Sequence, residues 1–259
     1  MTKKLIMFDI DGTLLDHDKK LPVSAKEAIY ALKEKGHEVA IATGRAPYFI
    51  EDIRKELEID SFICFNGQYV EIKNEAIYKN PINKERLAEL LRMANANDHP
   101  LVYMGGEALR STVEKHAEVE QSFGTLDIGV SNPEMDAYYF NEKEVFQTLL
   151  YCKASEESAY REAFPTLTFI RWHEFALDVL PAGGSKANGI EQYIKRQGFD
   201  KEDVYAFGDN LNDVEMLAYV GHGVAMGNAP QAVKEVAKYV TKDVDQGGIR
   251  HGLEMVGLL

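Results

Sequence analysis

Apolar and polar positions alternate along the chain in two different rhythms. Lys4 to Phe8 is a short apolar run that stops at Asp9, the profile of a strand buried on both faces. Ser24, Ala25, Lys26 and Glu27 read as a capping box. Ala25, Ala28, Ile29 and Leu32 then recur at helical spacing, and Gly36 supplies a stop. Val39 to Ala42 reads as a second strand ending at Thr43. A helix is expected from about Pro47 to Leu57, and a third strand from Phe62 to Phe65 ending at Asn66-Gly67. Strand and helix in turn predict a parallel sheet covered by helices on both faces.

The rhythm changes near Pro81. Two helical stretches and several short strand-like runs follow, the clearest at Leu101–Met104, Thr148–Lys153, Leu167–Trp172 and Phe175–Leu180. Strand–helix alternation resumes after Pro181. Ser185 opens a helix that runs to Gly198, Val204–Phe207 is a strand ending at Gly208-Asp209, and Leu211–Tyr219 is a helix. A short strand at Val224–Met226 and a last helix at Ile249–Met255 complete the pattern. The chain is thus expected to form an α/β core from residues 1–82 and 182–259, with residues 83–181 inserted as an α+β unit having a core of its own.

The 259 residues are 45% hydrophobic, enough for a buried core, and contain no apolar run long enough to span a membrane. The N-terminal apolar stretch is interrupted by Asp9 and Asp11, which argues against a secretory signal. Cys64 and Cys152, the two cysteines, are far apart in apolar runs and read as buried thiols in a reducing cytoplasm. With 29 Lys+Arg against 42 Asp+Glu, the net charge of −13 provides no field to gather nucleic acid or anionic lipid.

Four expected core strands end on a polar residue: Asp9, Thr43, Asn66 and Asp209. Open α/β sheets bind ligands at the carboxyl ends of their strands. Asp9-Ile10-Asp11-Gly12-Thr13 places two carboxylates after a buried strand, costly unless a cation or backbone donors face them. Thr43-Gly44 offers a hydroxyl and an amide to an anion, or simply a turn, and Arg45 is expected in a structural role. Lys186, in the first turn of a helix, opposes the macrodipole; a bound phosphate would offset that, as would exposure to solvent. Asp209 and Asp213, four apart, repel unless a cation or donor lies between them, and Asn212 adds an amide. Asn66-Gly67 is read first as a type I′ turn leading into Gln68–Tyr78.

These residues in this order resemble the four motifs of the haloacid dehalogenase superfamily of phosphatases, and the insertion resembles the type IIB cap of its Cof-like branch. The resemblance implies a Rossmann-like core and a Mg²⁺-dependent phosphatase acting on small phosphorylated metabolites. Asp9 would form an aspartyl-phosphate, and Asp11 would be the general acid and base, which calls for a carboxyl pKa above about 3.9. Asp9, the Asp11 carbonyl and Asp209 would hold Mg²⁺, with Asp213 orienting its waters. Ile10, Thr43, Gly44, Lys186 and Asn212 would meet the phosphoryl oxygens. The inserted unit would select the substrate, a sugar phosphate or phosphorylated cofactor, without contact to nucleic acid or membrane, in a cytoplasmic monomer or homodimer. A sugar phosphomutase and a non-catalytic metabolite-binding regulator are the alternatives. Tyr103, Arg110, Arg171 and His173 of the insertion are each more readily surface or core residues than substrate contacts.

Overall fold

The computed structural model describes residues 2–126, 130 and 132–259. Met1, at the start of the expected core, and residues 127–129 and 131, within the expected insertion, lie outside that set. In chain order the elements are β1 (Leu5–Phe8), α1 (Val23–Glu34), β2 (Glu38–Ala42), α2 (Glu51–Glu56), β3 (Phe62–Cys64), β4 (Tyr69–Ile72) and β5 (Glu75–Lys79). Then come α3 (Lys84–Ala96), β6 (Leu101–Gly105), β7 (Leu109–Ser111), α4 (Ala117–Leu126), β8 (Val145–Tyr151), α5 (Glu157–Ala163), β9 (Leu167–Arg171) and β10 (Ala176–Pro181). The chain closes with α6 (Lys186–Gln197), β11 (Val204–Gly208), α7 (Val214–Tyr219), β12 (His222–Ala225), α8 (Gln231–Val236), β13 (Tyr239–Val240) and α9 (Gly248–Met255).

The chain divides into two compact units. One comprises residues 1–45, 50–78 and 185–259; the other comprises 46–49 and 79–184.

The first unit is built on a sheet of order β13-β12-β11-β1-β2-β3-β4-β5. Its strands from β13 to β3 are mutually parallel, and β4 turns back antiparallel on β3. Leu5, Met7, Ala40, Ala42 and Ile63 point to the face packed by Ile190, Tyr193 and Ile194 of α6, Met216 and Leu217 of α7, and Val233 of α8. On the other face Phe8 stacks on Phe207, and α9 lies so close that a Cβ on Gly252 would stand 2.6 Å from the Phe207 ring. The wholly apolar strands follow from this two-sided burial. The order of attachment reverses at β1, which has β2 on one side and β11 on the other. Ligand crevices open at such switch points.

The second unit is a five-stranded antiparallel sheet of order β7-β6-β8-β10-β9. Leu87, Leu90, Leu91 and Ala94 of α3 and Tyr160 of α5 pack on Leu101, Tyr103, Leu150, Leu177 and Val179. The sequence anticipated two helices here; the described residues form three, and the three-residue β7 was too short to read from pattern. Helix α1 begins at Val23 with Pro22 as its cap and no side-chain cap bond, so the expected box at Ser24 is not used. Pro22, with φ −61° and ψ 138°, already sets the entry of the chain, and its carbonyl accepts from Ala25 and Lys26. The helix expected from Pro47 to Leu57 is split into a 3₁₀ turn at Pro47–Phe49 and α2, because Ile50 (φ −115°, ψ 2°) leaves helical geometry. No helix among the described residues is long and apolar enough to cross a membrane.

The approach of α6 to the sheet is set by two glycines. Gly67 has φ +95°, and a Cβ there would stand 2.0 Å from the Ser185 carbonyl; a Cβ on Gly189 would stand 2.5 Å from Ile63. Replacing Gly67 with Ala combines left-handed strain with a backbone clash. The expected outcome is a loss of about 2–4 kcal/mol in unfolding free energy by urea titration; an unchanged midpoint would show that this contact does not set the helix position.

Candidate active site

The parallel register brings distant residues to one level. Phe8 pairs with Phe207 and with Ile41, so the residues that follow each strand emerge together. The Asp9 amide continues the ladder by donating to the Phe207 carbonyl at 3.0 Å. Asp9, Thr43 and Asn66 are almost wholly buried, and Asp209 is partly so.

Lys186 lies at the centre. It is completely buried, and its Nζ donates to Asp9 Oδ1 and to Asp213 Oδ1, each at 2.6 Å. The two carboxylates therefore provide the compensation that a solvent-facing lysine would not need. Burial disfavours the ammonium, yet the Asp213 and Asp9 charges outweigh it and hold its pKa above the ordinary lysine value. Ser185 caps the helix by accepting from the Asn188 amide at 3.4 Å, and Gly198 in the left-handed region ends it.

Asp213 is equally buried. Its Oδ2 accepts from the amides of Asp209 at 2.9 Å and Asn210 at 3.0 Å. The predicted one-turn spacing is thus a 3₁₀ turn over Leu211–Asp213, capped by Asn210, followed by α7. Thr13 Oγ1 donates to Asp209 Oδ1 at 3.0 Å.

Carboxylate oxygens of Asp9, Asp209 and Asp213 lie within 4.8 Å of one another. Burial, followed by the neighbouring Asp213 charge, pushes Asp209 up to about 6. Burial raises Asp9 well above its usual range even with Lys186 beside it, and Asp213, Asp209 and Asp11 add to the effect. Ionised together, the three carboxylates would carry two more charges than the one ammonium offsets. A divalent cation with a preference for oxygen ligands fits that donor set.

The Asp11 side chain belongs to a different constellation. Arg45 donates to it through Nε at 2.8 Å and Nη2 at 2.6 Å, and Lys19 Nζ donates at 2.7 Å. Burial works against its charge, but Arg45 and Lys19 prevail and hold the carboxyl below its ordinary value. This is opposite in direction to the shift that a leaving-group acid requires. Lys19 sits in a turn in which Asp16 Oδ1 accepts from the amides of Asp18 and Lys20, and its own φ is +59°.

Thr43 Oγ1 accepts from the Arg45 amide at 3.1 Å, and its carbonyl accepts from the Asn66 amide at 3.0 Å. Asn66 (φ +50°) and Gly67 (φ +95°) are both left-handed and the Gln68 amide donates to the Phe65 carbonyl at 3.2 Å, so the turn expected at Asn66-Gly67 exists. Asn66 also faces the site: its Oδ1 accepts from Asn212 Nδ2 at 3.1 Å, and its amide would stand 3.0 Å from a Cβ on Gly44. Ile10 is buried, and its carbonyl accepts from the Thr13 and Leu15 amides.

In the second unit, Tyr103 is a core residue whose hydroxyl donates to the Ala137 carbonyl. Arg171 is bound to Glu157 and to the carbonyls of Cys152, His173 and Glu174. Arg110 pairs with Glu134, and His173 Nδ1 accepts from the Phe175 amide.

Sequence reasoning passed over Lys19 and Asn228. Asn228 Nδ2 donates to the Gly12 carbonyl at 2.9 Å and to Asp209 Oδ2 at 3.3 Å. It lies three residues beyond the end of β12, whereas Asp9 and Asp209 directly follow their strands.

A family model described as haloacid dehalogenase-like hydrolase matches residues 6–253. "Putative phosphatase YkrA" of Bacillus subtilis (strain 168) is 48% identical over the whole of both chains. Pyridoxal phosphate phosphatase YbhA of Escherichia coli (strain K12) is 30% identical, with 94% of each chain covered. The solved structure of the subclass IIB sugar phosphatase BT4131 superposes with a TM-score of 0.89 at 32% identity, covering 99% of this chain and 100% of that one. With a parallel-sheet core, a cluster of carboxylates at its switch point and relatives of matching length, the chain belongs to the haloacid dehalogenase-like hydrolases and is a phosphatase of that family.

Proposed function

We propose that the protein hydrolyses phosphomonoesters of small metabolites with Asp9 as nucleophile and Mg²⁺ as cofactor. The observation that carries this reading is the position of Asp9: a carboxylate at the open end of a buried strand, held by a buried ammonium at 2.6 Å beside two further carboxylates.

Lys186 fixes one Asp9 oxygen, which orients the carboxylate for attack on phosphorus. The bond from phosphorus to the ester oxygen breaks as the Asp9–phosphorus bond forms. Asp11 gives a proton to the departing oxygen and then takes one from the water that hydrolyses the aspartyl-phosphate, releasing phosphate and restoring Asp9. For this work Asp11 must exchange its contacts with Arg45 and Lys19 and take up a proton from solvent when the substrate arrives. Asp9, the Asp11 carbonyl and Asp209 would hold Mg²⁺, which supplies positive charge to the phosphoryl oxygens. Lys186, Thr43, Gly44, Asn212 and the Ile10 backbone hold those oxygens in place, which is the main catalytic task in phosphoryl transfer.

The groups assigned to the phosphoryl and the metal come from the first unit, so discrimination among leaving groups is assigned to the inserted one. The names of YbhA and BT4131, a pyridoxal phosphate phosphatase and a sugar phosphatase, favour phosphorylated cofactors and sugars as the substrate class.

Asp9→Asn keeps the shape of the side chain and removes its nucleophilic charge. Its kcat toward an aryl phosphate is expected to fall at least about 10³-fold, with an unchanged circular dichroism spectrum; near-normal turnover would sink the mechanism. EDTA should abolish hydrolysis and Mg²⁺ should restore it, whereas Ca²⁺, with its larger and looser coordination, should bind but support little turnover. Full activity in excess chelator would refute the metal assignment. Replacing residues 83–181 by a short linker should flatten kcat/KM across a panel of phosphate esters while leaving metal-dependent hydrolysis of an aryl phosphate. A folded capless protein with the original order of preference would place discrimination in the first unit.

A further inference from the structure

We infer that Asn228 is a positioning residue for the divalent-cation site: its side-chain amide fastens the Asp209 carboxylate and the Asp9–Thr13 loop to each other. The inference rests on the Mg²⁺ reading above and concerns a residue outside the motifs that suggested it.

The residue sits where the chain leaves β12. The Met226 amide donates to the Gly208 carbonyl and the Gly227 amide to the Lys242 carbonyl, both at 2.9 Å, so the segment is stitched to β11 on one side and to the loop after β13 on the other. A Cβ on Gly227 would stand 2.5 Å from the Asp243 amide nitrogen and 2.6 Å from the Lys242 carbonyl carbon. The two segments therefore meet backbone to backbone, and the direction of the Asn228 side chain is imposed by that contact.

The orientation of its amide is also imposed. The Val244 amide can only donate, and it donates to Asn228 Oδ1 at 3.0 Å. Asn228 Nδ2 is thereby turned toward two acceptors, the Gly12 carbonyl and Asp209 Oδ2. Each acceptor belongs to a different part of the site. Gly12 lies in the loop that carries Asp9 and Asp11; its φ is +77°, and the space a Cβ would fill is taken by the Asp209 carboxylate, 2.2 Å away. Asp209 has its other oxygen held by Thr13. With Thr13 on Oδ1 and Asn228 on Oδ2, both oxygens are directed, and the plane of the carboxylate cannot turn without breaking a bond. Each oxygen keeps lone-pair capacity for a cation, because a carboxylate oxygen accepts more than one partner. Groups that orient a metal ligand in this manner typically govern affinity by about 10–100-fold.

The full-length protein and its Asn228→Ala variant are compared by calorimetric titration with MgCl₂, by the Mg²⁺ dependence of aryl phosphate hydrolysis, and by thermal unfolding without metal. The expected result is a Mg²⁺ dissociation constant raised about tenfold or more, with kcat at saturating Mg²⁺ reduced far less than the affinity. A smaller Mg²⁺-induced rise in melting temperature should accompany it. Asn228→Ser, whose shorter side chain cannot reach both acceptors, should show the same loss and serves if the alanine variant does not fold. A variant that is less stable without metal yet binds Mg²⁺ within about twofold of the parent would overturn the inference and leave the metal assignment standing. A parent protein that binds no Mg²⁺ would overturn both.

Discussion

A lysine ammonium without solvent is the constraint around which the first unit is organised. Removing an ion from water costs several kcal/mol unless opposite charge is held against it at good geometry. Lys186 meets that condition with Asp9, which follows β1, and with Asp213, which lies in the turn after β11. The second oxygen of Asp213 is fixed by the amides of Asp209 and Asn210. The register of β1 against β11, the 3₁₀ turn before α7 and the first turn of α6 thus share one electrostatic requirement. The glycines at 67 and 189 let α6 approach closely enough to satisfy it.

The same arrangement revises a simple view of how an acidic protein accommodates an anion. With a net charge of −13, a site for an anion calls for local positive charge. Lys186 is already neutralised by two carboxylates, so the basin formed by Asp9, Asp209 and Asp213 stays negative. Two cations lie beside it, where Arg45 and Lys19 both pair with Asp11. The strand ends thus present two distinct environments, a cluster of carboxylates around one ammonium and a carboxylate flanked by two cations.

Much of this was legible because parallel strands buried on both faces leave unmistakable apolar runs, and the residue after each run marks the ligand-binding edge. Asp9, Thr43, Asn66 and Asp209 were found in that way, and the structure adds a role for Asn66 that a turn alone does not explain. Lys19 was not legible because its placement depends on a left-handed backbone conformation held by Asp16, a feature without hydrophobic signature. Asn228 was not legible because it lies three residues beyond β12, out of reach of a rule that marks the residue directly after a strand. The start of α1 at Pro22 rather than at Ser24 shows a fixed backbone angle prevailing over a favourable side-chain pattern. The direction of the Asp11 shift depends on which cations surround it in space, and no spacing in the sequence encodes that.

The pairing of β1 with β11 also bears on the birth of the protein. Leu5 is matched with Val204, so the partner of the first strand leaves the ribosome 199 residues after it (204 − 5). Contacts at that separation form slowly, since a long loop must close before they contribute. Residues 5–79 can assemble β1 to β5 early, and residues 79–184 hold a second sheet made entirely from neighbouring segments. During that interval Asp9 has neither Lys186 nor β11 beside it. Asp9 therefore meets its buried partner only when the sheet is complete, and a nascent or truncated chain lacking residues after 184 contains this carboxylate without the ammonium that holds it.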